Sequence, residues 1–158
     1  MTDDSGRAYL AGLQWLSRRE LTEAQLRQRL ARRAFTPDII DTAVARLRAE
    51  RAVDDQRAAL ACARTEVRLR GRGRRRVEQR LITLGIDREM ARGAVAEAFG
   101  DVDEAALIDR AIDRRLRRGE SLDNTAVRAR LYRYLLGQGF DGDRVAAALR
   151  RRASREAL

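Results

Sequence analysis

Leu26-Arg27-Gln28-Arg29-Leu30-Ala31-Arg32-Arg33-Ala34-Phe35 is the stretch that decides the fold, because its apolar spacing comes back twice. Two leucines lie four apart, the spacing of one helix face, and an apolar residue follows five further on. Another apolar residue comes nine beyond that, giving Leu26, Leu30, Phe35 and Val44. The same offsets return as Val77, Leu81, Ile86 and Val95, then as Leu131, Leu135, Phe140 and Leu149. The intervals between copies are 51 and 54 residues. A weak period of that size marks a protein of stacked helical units. The spacing therefore predicts an all-α, elongated tandem array of three three-helix repeats, nine helices in all. Their expected spans are 8–52, 53–101 and 102–153. Such an array is suited to lying along something long.

Working outward, helix punctuation supports the count. Tyr9, Leu13 and Leu16 stripe a first helix ending near Arg19. Thr22 offers an N-cap with Gln25 at the capping-box spacing. Thr36-Pro37 opens a third helix, with Thr as cap and Pro where its missing N–H costs nothing. Asp54-Asp55 caps the next, which runs to about Arg70 and breaks at Gly71-Arg72-Gly73. A helix carrying Val77, Leu81 and Leu84 stops at Gly85, and Asp87 caps its successor. In the last group, a helix with Leu107, Ala111 and Leu116 ends at Gly119. Asp123, Asn124 or Thr125 caps the next, Gly139 closes it, and Val145 with Leu149 carries the ninth. The tail from Arg150 to Leu158 reads as frayed. Each repeat has too few large apolar side chains to stand alone, so the repeats must share surface or lean on a partner.

All 34 basic residues are arginine, which points to codon bias and weakens any claim that particular arginines were selected over lysine. The net charge of +10 is uneven: +1 over residues 1–55, +4 over 56–103 and +5 over 104–158. That balance favours a polyanionic partner, most commonly nucleic acid or a nucleoprotein, over the plainer reading of a solvated basic surface. The single cysteine, Cys62, rules out an internal disulfide framework and sits among small residues as packing, which fits a reducing compartment. Met1–Arg7 is short, acidic and polar, unlike a signal peptide or anchor, and no apolar run is long enough to span a bilayer. A cytoplasmic protein with no membrane association is expected.

The sequence has no histidine, and so lacks the usual general base at neutral pH and the commonest metal ligand. One cysteine cannot build a zinc site, and Gly71-Arg72-Gly73 lacks the remainder of any phosphate-loop pattern. Asp54-Asp55 is the best carboxylate cluster, and helix capping accounts for it. An enzyme, a cofactor and a metal are therefore not expected. What stands out instead is Arg64 to Arg80, with a net charge of +6 in 17 residues. Arg74, Arg75 and Arg76 fall in a helix's first turn, where the dipole disfavours cations by about 0.3–1 kcal/mol each. A phosphate or carboxylate on a partner would compensate. The candidate contact residues are Arg68, Arg70, Arg72, Arg74, Arg75, Arg76 and Arg80, with Arg72 and Arg74–Arg76 at their centre. Arg114, Arg115, Arg117, Arg118 and Arg150–Arg152 lie toward helix C-termini and are favourable there anyway. Trp15 and Tyr134 sit on apolar stripes and read as core. Tyr132, between Arg128 and Arg133 and off the Leu131/Leu135 face, is the aromatic placed outside.

These residues together resemble the RecX family of recombination regulators. The stretch from Trp15-Leu16-Ser17-Arg18-Arg19-Glu20-Leu21 to Leu30 resembles its first unit. Val53-Asp54-Asp55-Gln56-Arg57-Ala58-Ala59, Gly73-Arg74-Arg75-Arg76-Val77 through Leu81, and Leu84-Gly85-Ile86 resemble its second. Leu131-Tyr132-Arg133-Tyr134-Leu135 with Gly139-Phe140 resembles its closing helix and turn. Ala34 stands where the family usually has glycine, Ala58 replaces an aromatic, and Leu21-Thr22 replaces a more polar start. The resemblance implies tandem three-helix repeats without catalysis. It also implies a partner, the RecA recombinase filament on single-stranded DNA, in whose groove a monomer would lie and limit extension, ATPase and strand exchange. A direct DNA-binding protein of helix-turn-helix type, acting without RecA, is the alternative.

Overall fold

The structure, a computed structural model, describes residues 3–156. Among them are nine helices and no strand. In chain order these are α1 (Asp4–Leu16), α2 (Glu23–Arg32), α3 (Pro37–Ala49), α4 (Asp55–Arg68) and α5 (Arg74–Thr83). Then follow α6 (Arg88–Ala98), α7 (Glu104–Arg115), α8 (Thr125–Gly137) and α9 (Gly142–Glu156). The fold is all-α, a tandem of three-helix groups.

The repeat is visible in the backbone itself. After α2, α5 and α8 the chain leaves the helix through a left-handed residue: Ala34 at φ 61°, Gly85 at 88° and Gly139 at 94°. The next amide then reaches back five residues. Phe35 N–H donates to the Leu30 carbonyl at 3.4 Å, Ile86 to Leu81 at 3.1 Å, and Phe140 to Leu135 at 3.2 Å. This closure satisfies a carbonyl that the helix end leaves open. Of the twelve residues that defined the repeat, every one is buried except half-buried Phe35. Full burial of each such leucine contributes about 1.5–3 kcal/mol.

The helices gather into two compact units, with the dividing lines falling inside α4, α5 and α6. One unit comprises the chain up to Cys62 together with Leu81–Ala94. Its core holds Leu26, Leu30, Ile40, Val44 and Leu47, with Tyr9, Leu13 and Trp15 packed against them. Thr22 forms the expected capping box with Gln25, and its hydroxyl also donates to the Leu84 carbonyl at 2.6 Å. Asp55 accepts the Glu23 amide at 2.7 Å, and burial pushes its carboxyl above the ordinary aspartate value, in part offset by that hydrogen bond. The other unit comprises Ala63–Arg80 and the chain from Val95 onward. Leu107, Ile108, Ile112, Leu131, Leu135, Phe140, Val145 and Leu149 are buried there, and α7, α8 and α9 pack on one another.

Asp54 and Asp87 cap as expected, and of the three candidates before α8 the cap is Asn124. Two expectations need correction. Thr36 occupies the N-cap position of α3 with Pro37 following, yet its side chain makes no capping bond. The tail is helical through Glu156, because α9 is tied down along its length. Arg151 bonds both oxygens of Asp109 at 2.9–3.0 Å, Arg152 pairs with Asp113 at 2.5 Å, and Glu156 accepts the Leu122 amide at 2.9 Å. Ala157 and Leu158 lie outside the described residues.

Candidate functional site

All seven candidate arginines belong to one unit, the one containing Ala63–Arg80. It is also the more basic: 21 Arg stand against 13 acidic residues, a net of +8, whereas the other unit has 13 against 11, a net of +2. The segment is built by a close approach of two glycines. Gly73 precedes α5 and Gly139 follows α8; a Cβ on Gly73 would meet the Gly139 carbonyl, and one on Gly139 would meet the Arg76 backbone. No larger residue fits either place. The approach lets Gly73 N–H donate to the Gln138 carbonyl at 2.8 Å and Arg75 N–H to the Gly139 carbonyl at 3.2 Å. Amides at the start of α5 are thus satisfied by carbonyls at the end of α8, positive dipole end against negative.

This geometry sorts the arginines. Arg72 is turned inward: its guanidinium bonds Gln138, and its Nε is buried with no partner. Arg74 bonds Glu104 at 2.6 Å and lies over the Phe99 ring, 4.6 Å from the centroid. Glu104 is nearly covered and is shared with Arg144 at 3.5 Å. Arg76 donates to the Gly137 carbonyl at 3.1 Å, capping α8. The fold therefore supplies much of the compensation that the sequence assigned to a partner. Arg75 and Arg80 are exposed, and their side chains make no hydrogen bond or ion pair among the described residues. Arg68 and Arg70 are more than half exposed, paired with Asp101 at 3.6 Å and Glu66 at 3.1 Å. The exposed Arg68–Asp101 pair contributes about 0–1 kcal/mol, whereas Arg70 compensates the buried carboxylate of Glu66 and is held more firmly.

The sequence reading missed Leu69. It lies between Arg68 and Arg70 and is 79% exposed, an apolar contact surface among cations. Leu69 lies just past the end of α4, two residues beyond buried Val67 and so off the face that Val67 shares with the core. The other arginines behave as their positions suggest. Arg115 covers the Tyr134 ring at 4.8 Å, and Arg114 packs beside Gly71. Trp15 is half-buried with Arg29 and Arg33 at its ring, 5.6 and 5.0 Å from the centroid. Tyr132 is half-buried and opens to the surface between α8 and α9. Among the described residues no cluster of ligating side chains could hold a metal ion, and no helix is long and apolar enough to cross a membrane.

Comparison with known proteins adds an independent line. The family model for the RecX first three-helix domain matches residues 8–47, and that for the second matches 54–95. A regulatory protein RecX of Halorhodospira halophila is 34% identical over 140 residues, covering 87% of this chain and 83% of that protein. One from Geobacillus kaustophilus is 30% identical over 150 residues, 93% of this chain but 54% of that protein, so the chain spans about half the length of that relative. In fold, it is similar to the crystal structure of RecX from Lactobacillus salivarius, with a TM-score of 0.76 at 20% identity, covering 96% of this chain and 97% of that one.

Proposed function

The chain belongs to the RecX family of regulatory proteins, and on that footing we propose that it binds the RecA recombinase filament on single-stranded DNA and limits its extension, ATPase and strand exchange. It acts as a cytoplasmic monomer, by binding, without chemistry of its own. The observation that supports this reading is the concentration of charge. A net of +8 lies in one unit, where the exposed Arg75 and Arg80 make no side-chain pair among the described residues, Arg68 is held only by the exposed carboxylate of Asp101, and Arg70 keeps its guanidinium exposed beside the buried carboxylate of Glu66. A filament of acidic protein and phosphate offers anions in a long row, and several weak contacts on one chain add as avidity. Arg72, Arg74 and Arg76 then serve the contact indirectly, by fixing the start of α5 that carries Arg75 and Arg80.

The test is the DNA-dependent ATPase of a cognate RecA, titrated with this protein. Inhibition well below one molecule per recombinase subunit is expected, and the pair Arg75→Glu with Arg80→Glu should require about ten-fold more protein while keeping its helical circular dichroism. No effect of the wild-type chain in excess would sink the proposal. The second reading, a DNA binder acting without RecA, draws on the same basic unit. It would be favoured by tight, steeply salt-dependent DNA binding coupled with indifference of the ATPase.

A further inference from the structure

Between α8 and α9 runs an open groove of about 500 Å³ lined by Arg128, Ala129, Tyr132, Arg133, Ala146, Leu149 and Arg150. Its floor is apolar and no carboxylate lines it. The side chains of Arg128, Arg133 and Arg150 make no ion pair or hydrogen bond among the described residues, unlike Arg130, Arg151 and Arg152 on the same helices. Helix α8 contains no acidic residue at all. Three uncompensated cations therefore border one apolar trough.

The ring in that trough is also unlike the other tyrosines. Tyr9 has Arg46 at its ring, 3.7 Å from the centroid, and Tyr134 has Arg115. Among the described residues Tyr132 has no such partner, although three arginines border it. Its hydroxyl end reaches the start of α9 at Gly142, where an added Cβ would come within 2.8 Å of the oxygen. The glycine thus leaves room for the ring to lie across from α8 to α9. An apolar floor, one unpartnered aromatic ring and unpaired guanidinium groups match a particular ligand chemistry: a flat base on the ring and phosphates on the rim. In a duplex the base faces are hidden by stacking, so the fit is to a single strand.

We infer that the α8–α9 groove holds single-stranded nucleic acid directly, with a base stacked on Tyr132 and the backbone drawn along Arg128, Arg133 and Arg150. This rests on the proposed function for the presence of a nucleic-acid partner, but it assigns a contact made without the recombinase. The ring supplies preference for a strand with bases, and the arginines supply affinity common to any strand.

The experiment measures fluorescence anisotropy of a labelled oligothymidylate and of an abasic strand of equal length and charge, without recombinase. The wild-type chain should bind the oligothymidylate about ten-fold more tightly than the abasic strand, within the range of one base–aromatic stack. Tyr132→Leu should erase that preference and Tyr132→Phe should keep it. The pair Arg133→Gln with Arg150→Gln should weaken both strands by the same factor. Gly142→Ala, which displaces the tyrosine hydroxyl, should reduce the preference without touching the groove's charge. A wild-type chain indifferent to the presence of bases overturns the assignment, and so does a preference that survives Tyr132→Leu. The same variants in the RecA ATPase assay separate the two readings. Repression by wild type without any base preference discards the groove and keeps the regulator, whereas a base preference without repression does the reverse. If Tyr132→Leu abolishes repression while oligonucleotide binding is unchanged, the groove receives a protein surface and the inference fails.

Discussion

Ala34 holds φ at 61°, where Gly85 and Gly139 stand at the corresponding points of the other repeats. A side chain there costs about 1–2 kcal/mol, and glycine would give back about 0.5–1 kcal/mol in unfolded-chain freedom. Ala34→Gly should therefore stabilise the protein by roughly 0.5 kcal/mol, read as a higher urea midpoint. Gly139→Ala should do the opposite by about 2–4 kcal/mol, since φ is 94° and the new carbon would meet the Arg76 backbone. Asp55 gives a pH-dependent case. Its folded pKa is raised, chiefly by burial, so the native state takes up the proton more readily than the unfolded chain. Stability from this group accordingly falls as pH rises from the ordinary aspartate value through the raised one. Asparagine keeps an oxygen for the Glu23 amide and removes the charge. Asp55→Asn should raise the Tm at pH 7, with the gain vanishing by about pH 3. At this scale the sequence was readable wherever a residue acts on near neighbours: the caps at Thr22, Asp54 and Asp87 were legible. Thr36 has the right type at the right place and still makes no capping bond, because residue type cannot say where a side chain will turn.

At the scale of elements, α5 shows how a local rule can be broken and mended at a distance. Three arginines open that helix against its dipole, and the carbonyls after α8 with Glu104 on α7 restore the balance. The anomaly was legible in the sequence, but the remedy lies at Gln138, 66 residues from Arg72. Nothing in the local pattern could reveal it. The sorting that results predicts a crossover between two neighbours. Arg74→Gln, which strips a charge-assisted bond from nearly buried Glu104, should cost about 1.5–3 kcal/mol in urea unfolding, lessened by Arg144. Arg75→Gln should change stability by less than about 0.5 kcal/mol and weaken binding to the recombinase–DNA complex instead. If both variants lost stability equally, the division of labour along α5 would be wrong. Helix α9 teaches the same lesson: its arginine run reads as a fraying end until Asp109 and Asp113 are brought beneath it.

The whole molecule divides its charge unequally, and the salt response should report that. If Arg68, Arg70, Arg75 and Arg80 each displace one counterion from a single strand, these four alone should contribute about a fifty-fold fall in affinity between 50 and 200 mM salt, beside whatever the α8–α9 groove adds. Replacing Arg75 and Arg80 with glutamine should reduce the logarithmic slope by about 1.4, and an unchanged slope would show that these two arginines do not contact phosphate. The repeat and the helix count were legible throughout, since they depend on apolar spacing that survives any arrangement of charges. Which arginines remain available was not, because availability depends on acids and carbonyls from distant parts of the chain. That distance also has a consequence for biosynthesis. The amides of Gly73 and Arg75 wait for carbonyls at Gln138 and Gly139, 65 and 64 residues further along the chain and made that much later. At about 5–20 residues per second, the nascent arginine-rich segment has no mate for roughly 3–13 s, long enough to meet ribosomal RNA or a chaperone. Chains arrested short of Gln138 should consequently be cut by trypsin between Arg70 and Arg76, and chains arrested well beyond Phe140 should be protected there. The segment proposed to act on a nucleoprotein is thus, during translation, bare beside the largest nucleoprotein in the cell.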